Sequence, residues 1–298
     1  MIAIVTGSGA ADPSSRELLE AALQRSGGEY LDPLDLSVDL RGAPRVLAGG
    51  RPAERYAALI LRGFNRSGDI DMQFETFELL EQLGLPVLNS PRALSVAESK
   101  SVTSYLFRAA GLPTPRTVAC QTLADAREAL HAFGTAVIKP LYGALGIGVE
   151  RVSWPDPEER LAERLQQSRS ICIQEYVPTG GRDIRAFVVG GQLLGAVQRI
   201  AQGTEWRTNV HQGGQCEPYE LSPFEREMCL RAARLVGLEY TGIDLLPGPA
   251  GPMLLEVNGA PQWHGLATAT GLDVAGAVVE RALALAADTA KTVPAGHR

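Results

Sequence analysis

Short apolar runs alternate with amphipathic helical segments over the first 90 residues, and this alternation limits the possible folds more than any other feature of the chain. The apolar runs at 2–5, 57–61 and 86–89 have the length of buried strands. Between them, apolar residues recur at helical spacing in the segments 18–23 and 74–83. The pattern predicts an α/β domain with a mostly parallel sheet, ending near residue 92.

Composition narrows the class of protein. The 298 residues suffice for one large domain or two to three small ones, and a hydrophobic content of 45% supports a buried core. The net charge of −6 argues against a surface that coats nucleic acid or an anionic membrane, although a small basic pocket is compatible with it. The four cysteines form no CxxC pair, which argues against a disulfide framework or a zinc site. Without an apolar run of membrane-spanning length or a signal peptide, we expect a cytoplasmic protein.

Two glycine-rich turns follow apolar strands. The strand 136–139 ends in Lys139, and three glycines then follow, Gly143, Gly146 and Gly148. Glycines let backbone N–H groups approach phosphate oxygens, but an ordinary hairpin loop explains the turn equally well when it is taken alone. The turn at 6–12 lacks the third glycine of a dinucleotide fingerprint, so a purely structural strand–turn–helix is the favoured interpretation there.

Acidic and amide side chains interrupt two apolar strands near the C-terminus. Asp244 lies inside the strand 242–246, while Glu256 and Asn258 are two residues apart and therefore share a strand face. A buried carboxylate needs a partner, and oxygen ligands from adjacent strands suit Mg²⁺. A carboxylate paired with arginine is the alternative.

Three arginines and one strand end, which could act as a hinge between lobes, are further candidates for a binding site. Arg185, Arg199 and Arg207 can each hold a carboxylate or phosphate through two N–H groups, although ordinary salt bridges would also account for them. The segment 173–178 ends a strand and could bind an adenine edge through its backbone. Taken alone, it also fits a generic core strand.

In their order along the chain, these segments resemble the ATP-grasp superfamily and, more closely, the RimK-like carboxylate–amine ligases. The resemblance extends from about residue 57 to residue 287, and its most specific stretches are 99–100 with 110–115, then 181–185, 206–209 and 255–258. It implies an α/β (α+β) ATP-grasp fold. The expected division is a pre-ATP-grasp domain with a parallel sheet at 1–92, a small lobe at 93–178 and a C-terminal lobe at 179–290. Residues 291–298 are expected to be a disordered tail.

The resemblance also implies a role for each residue of the site. ATP would contact residues of both lobes, namely Lys100, Lys139, Gly143, Gly146, Gly148, Glu175, Tyr176, Val177 and Asp183. Mg²⁺, or possibly Mn²⁺, would be held by Asp244, Glu256 and Asn258. The reacting phosphoryl group would be gripped by Arg185, Arg207 and Asn209. Ala144 stands where the family often has serine, which removes a hydroxyl contact but leaves the backbone N–H groups.

The implied activity is ATP-dependent formation of an amide or peptide bond through an acyl phosphate. The expected reaction adds L-glutamate to a carboxylate-bearing acceptor, which could be a pterin-type coenzyme, a peptide or a protein C-terminus. A LysX-like ligase acting on a carrier protein is one alternative, and a non-catalytic ATP-binding subunit is another. We expect no nucleic-acid or membrane partner, and a homo-oligomer.

Overall fold

The structure is a computed structural model that describes residues 1–141, 148–155, 158–202, 208 and 215–292. Its strands are β1 (Ile2–Val5), β2 (Gly28–Leu31), β3 (Leu36–Asp39), β4 (Arg45–Ala48), β5 (Arg51–Pro52), β6 (Ala58–Leu61), β7 (Val87–Leu88), β8 (Thr117–Cys120), β9 (Thr135–Lys139), β10 (Glu150–Ser153), β11 (Ile171–Glu175), β12 (Arg182–Val189), β13 (Gln192–Ile200), β14 (Gln215–Pro218), β15 (Tyr240–Gly248) and β16 (Gly251–Asn258). Its helices are α1 (Pro13–Arg25), α2 (Ile70–Gln82), α3 (Pro91–Glu98), α4 (Lys100–Ala109), α5 (Leu123–Phe133), α6 (Glu158–Ser168), α7 (Pro223–Val236), α8 (His264–Thr270) and α9 (Val274–Thr292).

The N-terminal region contains a parallel sheet of four strands in the order β2-β1-β6-β7. All four residues of β1 and of β6 are buried, as expected for parallel strands covered on both faces. A small antiparallel sheet of β3, β4 and β5 lies beside it in sequence. The predicted α/β class is therefore confirmed.

Two antiparallel sheets follow. Residues 117–175 form a sheet of four strands in the order β10-β9-β11-β8, with α5 and α6 packed on it. Residues 182–258 form a sheet of five strands in the order β14-β13-β12-β15-β16. The helix α7 packs against this second sheet and begins with a capping box formed by Ser222 and Glu225.

Two irregularities shift the ladders of the five-stranded sheet. In the β12–β13 pair the register changes between Phe187 and Val188. In the β15–β16 pair Asp244 lies opposite Glu256, whereas Leu245 lies opposite Leu254. Leu255 is thus an extra residue on β16, as in a β-bulge.

One core joins the parallel sheet to the five-stranded sheet. A single cluster of buried side chains combines Ile2, Ile4 and Ile60 with Phe187 and Tyr240. The four-stranded sheet differs, because all the buried members of its core cluster lie between residues 120 and 173.

Asn89, which follows β7 and is fully buried, connects the same two sheets. Its Nδ2 donates to the carbonyls of Tyr240 at 2.8 Å and Gly259 at 2.6 Å. Its Oδ1 accepts from the backbone N–H groups of Glu239 at 2.7 Å and Tyr240 at 3.1 Å. All four hydrogen-bonding positions of this amide are used.

Some boundaries differ from the sequence-based expectation. The predicted tail at 291–298 is wrong for its first two residues, because α9 continues to Thr292; residues 293–298 lie outside the described part. The division at 92 and 178 stays a prediction. No described helix has both the length and the apolar character needed to cross a bilayer.

Candidate functional site

One face of the five-stranded sheet carries most of the predicted site residues. Side chains alternate along a strand and directly opposed residues share a face. Three opposed pairs therefore lie on one side of the sheet: Asp183 with Arg199, Arg185 with Asp244, and Asp244 with Glu256. Asn258 joins them two residues beyond Glu256. We call this set of six residues the charged face.

The opposite side of the same sheet is apolar. Ile184, Ile243 and Leu245 are fully buried in a cluster with residues of α7 such as Met228 and Cys229. The strand period of two thus separates a packed core from a row of charges. The sheet holds the charged face on a well-packed support.

Four members of the charged face form an alternating chain of charges. Arg199 donates to Asp183 through Nε at 2.7 Å and Nη2 at 2.6 Å, and its Nη2 lies 3.0 Å from Oδ2 of Asp244. Arg185 donates to Asp244 through Nε and, at 2.8 Å, through Nη2. The hydroxyl of Thr208 also donates to Asp183. Asp183, which was predicted to contact ATP, is buried within this network, and its contact with a nucleotide stays a prediction.

The network keeps Asp244 ionised. Burial raises the pKa of Asp244, but Arg185 and Arg199 outweigh that effect and hold the pKa below its ordinary value. Both of its oxygens already accept arginine hydrogen bonds, so a metal ion would share them with the guanidinium groups.

Glu256 lies in a different electrostatic position, although it is directly opposite Asp244. Burial and the negative charge of Asp244 raise the pKa of Glu256, while Lys139 opposes the rise. Within the described residues its carboxylate accepts no hydrogen bond, and Asn258 uses only its N–H, which donates to the carbonyl of Gly242 at 3.0 Å. A cation bound beside Glu256 would lower the pKa of this carboxylate.

The donor set fits Mg²⁺. It offers two carboxylates and an amide oxygen, which are hard oxygen ligands. Among the described residues no group of three His, Cys, Asp or Glu side chains lies together. A cation at this position would therefore depend on oxygen ligands from outside the chain, such as phosphate or water.

Lys139 extends towards the same site from the four-stranded sheet. Its Nζ donates to Oε1 of Gln174 at 2.7 Å, and Gln174 donates in turn to the hydroxyl of Thr117 at 3.0 Å. Burial lowers the pKa of Lys139, and the charge of Glu256 is the largest effect that opposes the shift. The lysine of one sheet thus lies within electrostatic reach of the carboxylate of the other.

Lys100 belongs to the same electrostatic group. It is the first residue of α4, and its charge acts on both Lys139 and Glu256. Ser99 separates α3 from α4, because its side chain accepts from the N–H of Val102 and so begins α4. This division places Lys100 at a helix start.

The hinge residues occupy different environments. The carboxylate of Glu175 forms an ion pair with Arg116, and the N–H of Tyr176 donates to the carbonyl of Thr135 at 3.0 Å. The side chain of Val177 is buried, while its N–H donates to no described backbone group. Among the described residues, the Val177 N–H has no backbone acceptor and the carboxylate of Glu175 is paired with Arg116; their contacts with adenine stay predictions.

Of the remaining predicted site residues, only Gly148 belongs to the described part of the chain. Gly148 has a φ of +73°, a conformation that favours glycine. Gly143, Gly146, Arg207 and Asn209 lie outside the described residues.

The structure adds Arg199 and Gln174 to the predicted site. In the sequence Arg199 is one of several arginines, and its pairing with Asp183 depends on strand register. Gln174 shares a face with Lys139 because β11 pairs with β9.

A family model and several named relatives match the sequence of this chain. The family model for the RimK-like ATP-grasp domain matches residues 97–282. The chain is 35% identical to the tetrahydromethanopterin:alpha-L-glutamate ligase of Methanosarcina acetivorans over 254 residues, which are 75% of this chain and 78% of that one. It is 34% identical to a probable alpha-L-glutamate ligase of Thioalkalivibrio sulfidiphilus over 279 residues, 89% of this chain and 90% of the relative.

Solved structures also match over nearly the whole chain. The ATP-grasp ligase PsnB complexed with a minimal precursor has a TM-score of 0.78 and 25% identity, covering 95% of this chain and 98% of that one. The same ligase complexed with minimal precursor, Mg and ADP has a TM-score of 0.75 at 25% identity, covering 96% and 98%.

Proposed function

The chain belongs to the RimK-like ATP-grasp family and is an ATP-grasp ligase, and from this premise we propose that it adds L-glutamate to a carboxylate-bearing acceptor through an acyl phosphate. The observation that carries the proposal is the arrangement of charge between two sheets. Ionised Asp244 and Glu256, whose pKa is raised, lie on one sheet within electrostatic reach of Lys139 on the other. Such a site attracts a metal-bound polyphosphate.

The residues fit the chemistry of phosphoryl transfer. A carboxylate reacts poorly with an amine, but transfer of the ATP γ-phosphoryl group gives an acyl phosphate that an amine can attack. Lys100 and Lys139 bind phosphate oxygens, and the planar guanidinium of Arg185 grips the transferring group. Glu256, Asn258 and Asp244 hold Mg²⁺, which neutralises phosphate charge when bound.

The hinge supplies the nucleotide base contact. The N–H of Val177 donates to the adenine ring, while the ion pair between Glu175 and Arg116 fixes the strand end that precedes it. Because Val177 also packs beside Gly248 of the other sheet, the hinge contact lies where the two sheets meet.

The substrates are inferred from the relatives. Their names support L-glutamate as the amino acid. The structural likeness to a ligase solved with its precursor favours a peptide acceptor over a small coenzyme, whereas the sequence likeness to the tetrahydromethanopterin ligase favours a pterin-type coenzyme. A carrier protein would be a third acceptor class.

A phosphate-release assay tests the proposed function. Purified protein is incubated with ATP, Mg²⁺, a panel of amino acids and candidate acceptors; phosphate release is measured and each product is identified by mass. We expect ADP and phosphate only when an amino acid and a carboxylate acceptor are both present. A non-catalytic subunit would bind ADP with Mg²⁺ but release no phosphate.

Two refinements make the assay specific. Glu256→Gln should abolish turnover, whereas Glu280→Gln, which removes an exposed carboxylate on α9, should not. With an ¹⁸O-labelled acceptor carboxylate, one label should appear in inorganic phosphate. Transfer of that label to AMP or to water, with none in phosphate, would exclude the acyl-phosphate route.

A further inference from the structure

A second polar cluster lies at the carboxyl edge of the N-terminal parallel sheet. Arg62 directly follows β6, and Asp12 ends the turn after β1, where it caps α1. Because the sheet order is β2-β1-β6, the chain leaves β1 on one side and returns as β6 on the other. The cleft between two such strand ends is where open α/β sheets bind ligands.

The two loops of this cluster are in tight contact. A Cβ added at Gly7 would lie 2.6 Å from the Cα of Asn65, so only glycine permits this approach. Arg62 is consequently held beside the turn that carries Asp12.

Arg62 is buried but incompletely paired. Its side chain is 2% exposed, its Nη1 donates to the carbonyl of Pro261 at 2.9 Å, and its guanidinium lies 5.2 Å from the ring centre of Trp263. Its Nη2 lies 3.4 Å from Oδ2 of Asp12. Its Nε, although buried, donates to no described atom.

Asp12 also has a side-chain atom without a hydrogen-bond partner among the described residues. Its Oδ2 accepts from the N–H of Ser15 at 3.1 Å and from the Ser15 hydroxyl at 2.6 Å, in addition to Arg62. Its Oδ1 is buried and accepts from no described atom. One ion pair therefore retains an unused cationic donor and an unused anionic acceptor, and unpaired buried groups of this kind are costly.

Pro261 connects this pair to the charged face. A Cβ added at Gly242 would lie 3.1 Å from Cβ of Pro261 and 3.0 Å from Cδ of Arg185. Gly242 and Asp244 are two residues apart on β15, so the residue that accepts from Arg62 lies against the charged face itself.

We propose that Arg62 and Asp12 form the subsite for the α-carboxylate and α-amino group of the incoming amino acid. Nε of Arg62 donates to a carboxylate oxygen, and Oδ1 of Asp12 accepts an amine N–H. An α-amino acid carries these two groups on one carbon, which matches a donor and an acceptor held within one ion pair. The inference deepens the proposed ligase function and rests on it.

The geometry allows approach from solvent. The Asp12 side chain is 16% exposed, and a Cβ at Gly63, next to Arg62, would have no atom within 4 Å.

Steady-state kinetics with two variants test the subsite. Asp12→Asn retains a good N-cap for α1 while it removes the charge. Arg62→Lys retains the charge but loses the fork of donors. With L-glutamate as the probe, each variant should raise the KM for the amino acid roughly tenfold to a hundredfold, because hydrogen bonds to charged groups are lost. The KM for ATP should change less than about twofold.

Matched controls are present in the same domain. Asp69→Asn changes another capping aspartate, on α2, and Arg55→Lys changes another arginine that stacks on an aromatic ring, that of Tyr56. Neither should alter the KM for L-glutamate. These controls separate loss of a cap or a stacking contact from loss of the subsite.

A substrate analogue supplies a readout that a purely structural role would not change. Wild type should prefer L-glutamate to its α-carboxamide, and Arg62→Lys should reduce that preference. An unchanged preference, or equal rises in KM for ATP and for the amino acid, would place the subsite elsewhere while leaving the ligase function intact. If wild type releases no ADP with any amino acid, the ligase function and the subsite both fail.

Discussion

The five-stranded and four-stranded sheets both contribute charge to the site, but the protein holds them in different ways. The five-stranded sheet packs on α7 through one face and shares a core with the N-terminal sheet through part of the other. The buried core of the four-stranded sheet lies within residues 120–173. Arg185, Asp244 and Glu256 are thus fixed on a rigid support, whereas Lys139 belongs to a unit that can open locally. Under the proposed function, the residues that would hold Mg²⁺ are preorganised, and the lysine that would contact phosphate is adjustable.

The largest expected effect concerns the connection between the N-terminal and five-stranded sheets. Asn89→Ala removes four buried hydrogen bonds and leaves two backbone N–H groups and two carbonyls unpaired. We expect the free energy of unfolding to fall by roughly 4 kcal/mol, measured by urea denaturation. A loss below about 1 kcal/mol would mean that the two sheets are not firmly joined.

A pair of equivalent core truncations tests the difference directly. Ile243→Ala and Ile173→Ala each remove a fully buried isoleucine from the middle of a sheet, at a cost of roughly 3 kcal/mol. We expect Ile243→Ala to speed amide exchange throughout the parallel and five-stranded sheets. Ile173→Ala should speed it only in residues 117–175. Exchange that rises everywhere in both variants would show that the protein opens as one unit.

Removal of Lys139 should change binding without destabilising the free protein. Lys139→Met eliminates a buried ammonium whose pKa burial lowers, so we expect an unchanged or higher Tm. Affinity for ADP with Mg²⁺, measured by calorimetry, should fall roughly tenfold to a hundredfold, because a charged phosphate contact is lost. Adenosine, which has no phosphate, serves as the control ligand and should bind equally to both proteins.

The smallest effect is a pH dependence confined to the five-stranded sheet. The pKa of Glu256 lies above its ordinary value of 4.5, because of burial and then of Asp244. Glu256 therefore keeps its proton to a higher pH than an exposed glutamate, and Mg²⁺ affinity should rise as the pH increases through that pKa, by at most about tenfold per pH unit.

Glu256→Gln removes the titrating group. The pH dependence of Mg²⁺ affinity should become flat in this variant, and the free protein should become more stable at neutral pH, where wild type carries the unfavourable charge. A slope that persists in Glu256→Gln would assign the proton to another residue.

Local patterns predicted the parts of the fold that obey a simple period. The apolar runs of β1 and β6 identified the parallel sheet, and the spacing of Glu256 and Asn258 placed them correctly on one strand face. The polar residues of β2, such as Glu29, concealed that strand. Ser99 concealed the break between α3 and α4, because a serine within an otherwise helical segment does not by itself mark a cap.

Register explains what the sequence could not reveal about the site. Counting from the turn at Gly190 and Gly191, a regular β12–β13 hairpin would place Asp183 opposite Gln198. The irregularity between Phe187 and Val188 moves the partner to Arg199, which creates the buried ion pair. The subsite at Arg62 and Asp12 was equally hidden, because it depends on unpaired atoms of residues 50 positions apart.

The extra residue in β16 makes one position of the chain dispensable. In the ladder that starts at the β15–β16 turn, Leu245 faces Leu254, and the next pair is Asp244 with Glu256 once Leu255 is passed over. A chain shortened by Leu255 alone would keep both pairs and gain a regular ladder. A deletion at Pro252 or Met253 would also leave Glu256 opposite Asp244, but it would place Leu255 opposite Leu245 and turn the buried Leu254 to the other face. Natural variation in length within β16 is therefore expected at Leu255 rather than at Pro252 or Met253.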